Sequence, residues 1–305
     1  MKLPKIPPYL AKGDTIGIIC PAGYMAEENV QSCITALTDW GYNVRSGHTV
    51  GGDSDNYFSG TDDVRLADLQ AMLDDDQIKA ILCARGGYGV SRIIDRVNFK
   101  RFKKNPKWII GFSDITVLHS HIHTNLGIAT IHGPMAAAFN DTVPAEDPYL
   151  NSLRNVLAGR KIKYKINSHP DNRQGEVVGK LVGGNLALLA HACGSASDIE
   201  TRGKILFLED IGEYLYNIDR MLYQLKRSGK FDRLGGLIIG GFSDLNDTIR
   251  PFGDDVYGIF RDILKDYSFP VCYDFPVSHS RENLALKVGI GYKLKVGKSK
   301  VTLEE

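Results

Sequence analysis

The chain has 305 residues, 43% of them hydrophobic and 24% charged, with a formal net charge of +1. This describes a globular protein long enough for one large domain or two ordinary ones. The balanced charge leaves no basic surplus for nucleic acid and no polybasic run for anionic lipid. No apolar stretch approaches the ~20 residues that cross a bilayer. Pro4, Pro7 and Pro8 break up any apolar signal core. No nucleic-acid partner, no membrane association and a cytoplasmic location are therefore expected. The five cysteines, Cys20, Cys33, Cys83, Cys193 and Cys272, are scattered and form no C-x-x-C pair. Structural zinc is not expected, and Cys20, Cys83 and Cys272 read as small buried hydrophobes.

In chain order, Thr15–Cys20 reads as a first strand. Glu28–Trp40 reads as a helix, with Val30, Cys33, Ile34 and Leu37 at helical spacing. Gly41–Val44 turns into a second strand. Thr61–Leu73 is a second helix, with Thr61 and Asp62 as candidate caps. Ile78–Ala84 is a third strand, Val90–Ile94 lies in a helix, Trp108–Gly111 is a fourth strand and Ile115–Asn125 a further helix. Alternating strands and helices with continuously apolar strands predict a parallel sheet covered on both faces. The expected fold is α/β, with an N-terminal parallel-sheet sandwich over residues 1–140. Residues 141–175 are rich in turn signals (Asp141, Pro144, Pro148, His169-Pro170-Asp171-Asn172, Gln174-Gly175) and read as a linker, partly helical around Tyr149–Leu157.

A second domain, read from its strands and helices as a further αβ region, is expected over 176–305. Lys204–Leu208, Leu237–Ile239 and Val271–Tyr273 read as strands, Tyr214–Leu225 and Val256–Leu264 as helices. The alternating tail from Lys287 to Leu303 predicts short antiparallel strands.

The most informative stretch is Trp108-Ile109-Ile110-Gly111-Phe112-Ser113-Asp114-Ile115-Thr116. A serine on a sharp turn between a strand and a helix holds its hydroxyl clear of the sheet, above free backbone N–H groups. That suits a nucleophile whose attack creates an oxyanion. The competing reading is a helix N-cap. A nucleophilic serine needs a base, and the base needs an acid. Leu208-Glu209-Asp210 sets acids at a strand's carboxyl end, and His279 follows another strand. The order Ser113, Glu209, His279 also occurs in α/β-hydrolases, but the final glycine of G-x-S-x-G is absent and that fold is not assigned. His119 and His123 share a helical face, yet no H-E-x-x-H motif or third ligand accompanies them, so no metal is expected.

Seven pieces of the chain together carry a resemblance. They are Gly17–Gly23, Ala84–Gly89, Gly111–Thr116, His132–Met135, Gly183–Leu186, Leu208–Asp210 and His279-Ser280-x-x-Asn283. In this order and spacing the chain resembles the LD-carboxypeptidase family of serine peptidases, the muramoyltetrapeptide carboxypeptidases. The resemblance implies Ser113 as nucleophile, His279 as general base and Glu209 as the acid that orients it, with Asp210 and Glu213 as nearby competitors. It also implies a parallel N-terminal sandwich, a β-rich C-terminal domain and a site between them.

The oxyanion donors expected on this reading are the Asp114 N–H and that of Gly86 or Gly87, since glycine permits close backbone approach. Arg85, Asn185 and Tyr214 are candidate substrate-binding residues. Arg220, Arg250 and Arg281 compete to bind a terminal carboxylate. The resemblance implies release of D-alanine from a murein tetrapeptide during murein recycling, a muropeptide substrate, no cofactor and a homodimer. The alternatives are a microcin C immunity-type peptidase acting on aminoacyl-nucleotide conjugates, a non-catalytic two-domain small-molecule binder, and a Rossmann dehydrogenase. The first expects a tryptophan near 165–180, which is absent. The second expects a signal peptide. The third expects a glycine fingerprint after Cys20 that this chain lacks.

Overall fold

The computed structural model describes residues 4–140 and 147–305. They form two compact units: one runs to Arg160 and includes Leu284–Lys287, the other holds Lys161–Asn283 and Val288–Glu305. The expected turns at Asp141 and Pro144, and the Met1–Leu3 start of the proline-broken terminus, lie outside the described residues.

The first unit contains, in order, β1 (Thr15–Ile19), α1 (Gln31–Asp39), β2 (Asn43–Ser46), α2 (Asp62–Asp74), β3 (Ile78–Cys83), α3 (Val90–Ile93), α4 (Lys100–Lys104), β4 (Trp108–Gly111), α5 (Thr116–Leu126), β5 (Thr130–His132) and α6 (Pro148–Leu157). β1 pairs in parallel with β2 and β3, β3 with β4, and β4 with β5. β4 and β5 are buried along their whole length, as strands covered on both faces must be. Thr61 starts α2 by accepting the Val64 N–H, as its sequence position predicts. Asp147 does the same for α6, accepting from Tyr149 and Leu150 with Pro148 in the first turn.

The second part of the chain supplies β6 (Lys163–Asn167), β7 (Gly175–Asn185), α7 (Leu186–Ala192), β8 (Ile205–Ile211), α8 (Leu215–Arg227), β9 (Gly236–Ser243), α9 (Val256–Leu264), β10 (Val271–Cys272), β11 (Leu286–Val288), β12 (Gly291–Val296) and β13 (Lys300–Glu304). Its seven-stranded sheet has the order β10-β9-β8-β7-β12-β13-β6. It is parallel from β10 to β7 and antiparallel from β7 through β12 and β13 to β6. β11 instead joins the first sheet beside β5, giving the order β11-β5-β4-β3-β1-β2.

The mixed α/β class agrees with expectation. Of the stretch expected as a linker, the described part from residue 147 carries α6, which belongs to the first unit, and β6, which forms an edge of the second sheet. Ser152, Leu153, Val156 and Leu157 of α6 are buried, and Ser152 Oγ accepts the Ala285 N–H at 2.8 Å.

The second unit's core gathers Leu206 and Leu208 of β8, Leu237 and Ile239 of β9, Ile218, Leu222 and Leu225 of α8, and Ile259, Phe260 and Ile263 of α9. Leu222 is completely buried, whereas Tyr223 beside it is 42% exposed. Leu222→Ala is expected to cost about 2–5 kcal/mol, and Tyr223→Ala under ~0.5 kcal/mol, as for ordinary surface changes. Urea unfolding of both variants checks the contrast.

Candidate active site

The sharp turn predicted after β4 is present, and its backbone is unusual. Phe112 is extended, Ser113 stands at φ 61°, and a 3-10 turn over Ser113–Ile115 leads into α5. A left-handed serine costs roughly 1–3 kcal/mol and persists only where its surroundings enforce it. Neither the 3-10 turn nor α5 has a side-chain cap, so Ser113 is not there as an N-cap.

The enforcement begins at Gly111. Its carbonyl accepts His119 Nε2–H at 2.9 Å and the Gly133 N–H at 3.3 Å. His119 is fully buried; burial lowers its pKa to about 4, against the opposing effect of that hydrogen bond, so the ring is neutral. The histidine pair weighed for metal binding is thus a core pair, with His119 bonded to the backbone and His123 also buried.

The glycine-rich loop lies directly against the serine. A Cβ on Gly86 would sit 2.8 Å from Ser113 Cβ, 3.0 Å from its Oγ and 3.3 Å from the Asp114 nitrogen. Only a residue without a side chain fits there. The Gly86 carbonyl accepts the Gly23 N–H at 3.0 Å, which anchors the loop to the segment after β1. Gly87 and Arg85 are exposed beside it, with Arg85 Nη1 donating to the Tyr24 carbonyl at 2.8 Å.

In the second unit, the register of β8 on β9 shifts between Leu208 and Asp210, at Glu209. The segment before His279 packs on β9: the Gly241 N–H donates to the Val277 carbonyl at 3.0 Å, and a Cβ on Gly241 would lie 2.5 Å from Ser278 Cβ. Ser278 then braces the loop. Its Oγ donates to the Glu282 carbonyl at 3.0 Å, accepts the Ser280 N–H at 3.1 Å and lies 2.6 Å from the Ser280 hydroxyl. His279 Nδ1 consequently lies 2.5 Å from Glu209 Oε2. The glutamate is completely buried and the histidine side chain is 12% exposed.

Of the three acids considered, the structure pairs Glu209 with His279. Asp210 points its oxygens elsewhere, accepting Asn185 Nδ2 at 2.7 Å and the N–H groups of Ile211 and Ala187, both at 2.9 Å. Burial raises the Asp210 pKa to about 6 despite those bonds. Glu213 is bonded to Asn217. Asn185, expected at the substrate, is 2% exposed and bonded within the fold: its Oδ1 accepts the Leu188 N–H at 3.1 Å while its Nδ2 holds Asp210. Tyr214 is 43% exposed, its ring 5.5 Å from that of Tyr216. Arg220 lies over the Tyr216 ring, and Arg250 and Arg281 are exposed.

His119, Gly241 and Ser278 are positioning residues that sequence reasoning did not assign. The only signals were the serines flanking His279 and the glycine pair at the end of an apolar strand. Chemically, a carboxylate on Nδ1 fixes the imidazole tautomer and leaves Nε2 as the nitrogen that can take a proton.

Comparison with known proteins places this geometry in context. Residues 16–133 match the family described as LD-carboxypeptidase N-terminal domain, and residues 178–294 its C-terminal domain. A probable murein peptide carboxypeptidase of Bacillus subtilis is 36% identical over 93% of this chain and 89% of its own. The microcin C7 self-immunity protein MccF of Escherichia coli is 26% identical over 97% of this chain and 94% of its own. The crystal structure of muramoyltetrapeptide carboxypeptidase from Oxalobacter formigenes superposes with a TM-score of 0.86 at 28% identity, covering 95% of this chain and 98% of that one.

Burial alone would lower the His279 pKa; the hydrogen bond and charge of Glu209, with the charge of Asp210, outweigh it and the net shift is upward. Glu209→Gln leaves the burial and removes the main counterweight. NMR titration of the imidazole is therefore expected to give a lower pKa in the variant than in the parent. Because the folded value is raised, stabilisation from the charged ring is complete below the unfolded pKa of ~6.5 and fades as pH rises through the folded value. The melting-temperature gap between parent and variant should narrow over that interval.

Proposed function

Because the chain belongs to the LD-carboxypeptidase family, we propose that it is a serine carboxypeptidase that cuts the L–D amide bond holding the terminal D-alanine of murein tetrapeptides. The observation that carries this reading is the serine at φ 61° with Gly86 packed against its hydroxyl. The strain serves no capping role, and it sets the hydroxyl of the half-buried serine on the turn where a nucleophile is needed.

In this reading Ser113 gives its proton to His279 Nε2 and attacks the scissile carbonyl. The oxyanion is received by the N–H groups of Asp114 and of Gly86 or Gly87. His279 passes the proton to the leaving D-alanine amine, then activates the water that frees the acyl group from Ser113. Glu209 holds the ring tautomer and stabilises the imidazolium. The reaction requires neither cofactor nor metal. Arg85 and Tyr214, both exposed, are the residues we assign to substrate contact, with Asn185 supporting the acid strand from behind. A homodimer acting in the cytoplasm in murein recycling completes the proposal. No helix among the described residues is long and apolar enough to cross a membrane.

The aminoacyl-nucleotide alternative has less support here. Its expected tryptophan is missing: Trp40 and Trp108 are the chain's two, and neither lies in 165–180. The ring that stretch does supply among aromatic contacts, His169, is stacked on Tyr273 at 5.7 Å.

Ser113→Ala is expected to keep the parent melting temperature and lose more than about a thousandfold in kcat; a folded, fully active variant would remove the nucleophile assignment. On a peptide panel read by mass spectrometry, the L-Ala-γ-D-Glu-(diamino acid)-D-Ala peptide should lose its D-alanine. The analogue ending in L-alanine should react about ten- to hundredfold more slowly, since inversion costs a charge-assisted bond worth ~1.5–3 kcal/mol. Equal rates on the two peptides would refute the assignment. Faster cleavage of an aminoacyl-adenylate analogue than of either would favour the nucleotide alternative.

A further inference from the structure

Asp114 has a side chain that the mechanism above leaves unused. It is completely buried, yet it follows the nucleophile directly. Its Oδ2 accepts the Val90 N–H at 2.8 Å, while Oδ1 is buried with no hydrogen-bond partner among the described residues. Val90 begins α3, immediately after the glycine-rich loop whose Gly86 faces Ser113. The carboxyl therefore ties the turn after β4 to the far end of that loop.

Arg65 secures the same end from another side. It is fully buried, and its Nη1 donates to the Gly89 carbonyl at 3.0 Å and the Pro21 carbonyl at 2.8 Å. Its other guanidinium nitrogen, Nη2, bonds Asp62. The loop is thus clamped between a carboxyl on the nucleophile turn and a guanidinium on α2.

We propose that the Asp114 side chain is a positioning residue that sets the spacing of the two oxyanion donors, one on its own backbone and the other on the Gly86–Gly87 loop. The proposal rests on the serine-peptidase reading and deepens it. A hydrogen-bond donor stabilises an oxyanion only when held at the right distance before the charge develops. Here the donors come from segments far apart in sequence, so something must fix their separation. Burial raises the Asp114 pKa to about 6, against the backbone bond from Val90 and the charge of Arg65. A buried carboxyl so disposed acts chiefly as an acceptor, and the neutral acceptor of asparagine can replace it.

The test compares Asp114→Ala and Asp114→Asn with the parent and with Ser113→Ala, on the tetrapeptide. Alanine removes the acceptor and should lower kcat about ten- to hundredfold with KM within about twofold, because ground-state binding does not use the oxyanion donors. Asparagine keeps an acceptor for Val90 and should recover kcat to within about threefold of the parent. A merely structural carboxyl would lower the melting temperature without separating kcat from KM. If the alanine variant fails to fold, Asp114→Ser, too short to reach Val90, takes its place with the same expectation. Parent-like kcat in the alanine or serine variant, with Ser113→Ala inactive, overturns the positioning role and leaves the peptidase reading standing. So does equal loss in the alanine and asparagine variants. A fully active Ser113→Ala overturns the reading itself, and the positioning role with it.

Discussion

The Gly111 carbonyl receives two donors, His119 Nε2–H and the Gly133 N–H, and so fixes the residue from which the chain must turn out of the sheet. Everything at the functional end of the first unit follows from that fixed point. Ser113 cannot relax to an ordinary backbone conformation without moving Gly111 or Asp114. Gly111 is held by His119, and Asp114 is held by its carboxyl on Val90. The strain at φ 61° is distributed over buried bonds on both sides of the serine.

The second unit reaches a comparable rigidity by packing. There an irregular register of β8 on β9 coincides with Glu209, and a glycine at 241 lets the Val277–Ser278 backbone lie close upon β9. The histidine that follows is braced by Ser278 and bonded to a fully buried glutamate. A buried carboxylate is expensive unless it is paired. The cost of leaving Glu209 alone keeps His279 in place, and this explains why loop chemistry as slight as two serines suffices to finish the job.

Much of this was legible in the sequence because it depends on local rules. The strand Trp108–Gly111, the capping Thr61, the helix Val256–Leu264 and the turn at Ser113 announce themselves through apolar runs, cap residues and helical spacing. β7 was less legible. Gln174-Gly175 reads as a turn signal and no strand is expected over Gly175–Asn185, whereas in the sheet its glycines allow neighbouring backbones to approach closely, as at Gly183 against Phe207. The choice of Glu209 over Asp210 could not come from composition or spacing. Adjacent acids on one strand point to opposite faces, and only the sheet decides which face carries the histidine. The burial of Asn185 and the roles of His119 and Asp114 are likewise tertiary facts, invisible to periodicity.

β11 carries a consequence for how the protein is made. The first sheet takes its sixth strand from Leu286–Val288, far along the chain from its neighbour β5 at Thr130–His132. Lys287 on that strand is completely buried, its Nζ 3.1 Å from the Tyr9 hydroxyl and over the Tyr9 ring. A ribosome emits the chain at only about 5–20 residues per second, and domains tend to fold as they emerge. This unit, however, has its first 160 residues in hand long before its last strand exists. Until then the edge of β5 is an open template, the kind of edge that recruits strands from other molecules. Synthesis therefore leaves an interval in which the β5 edge is unpaired and stays so until the Leu286–Val288 segment is made.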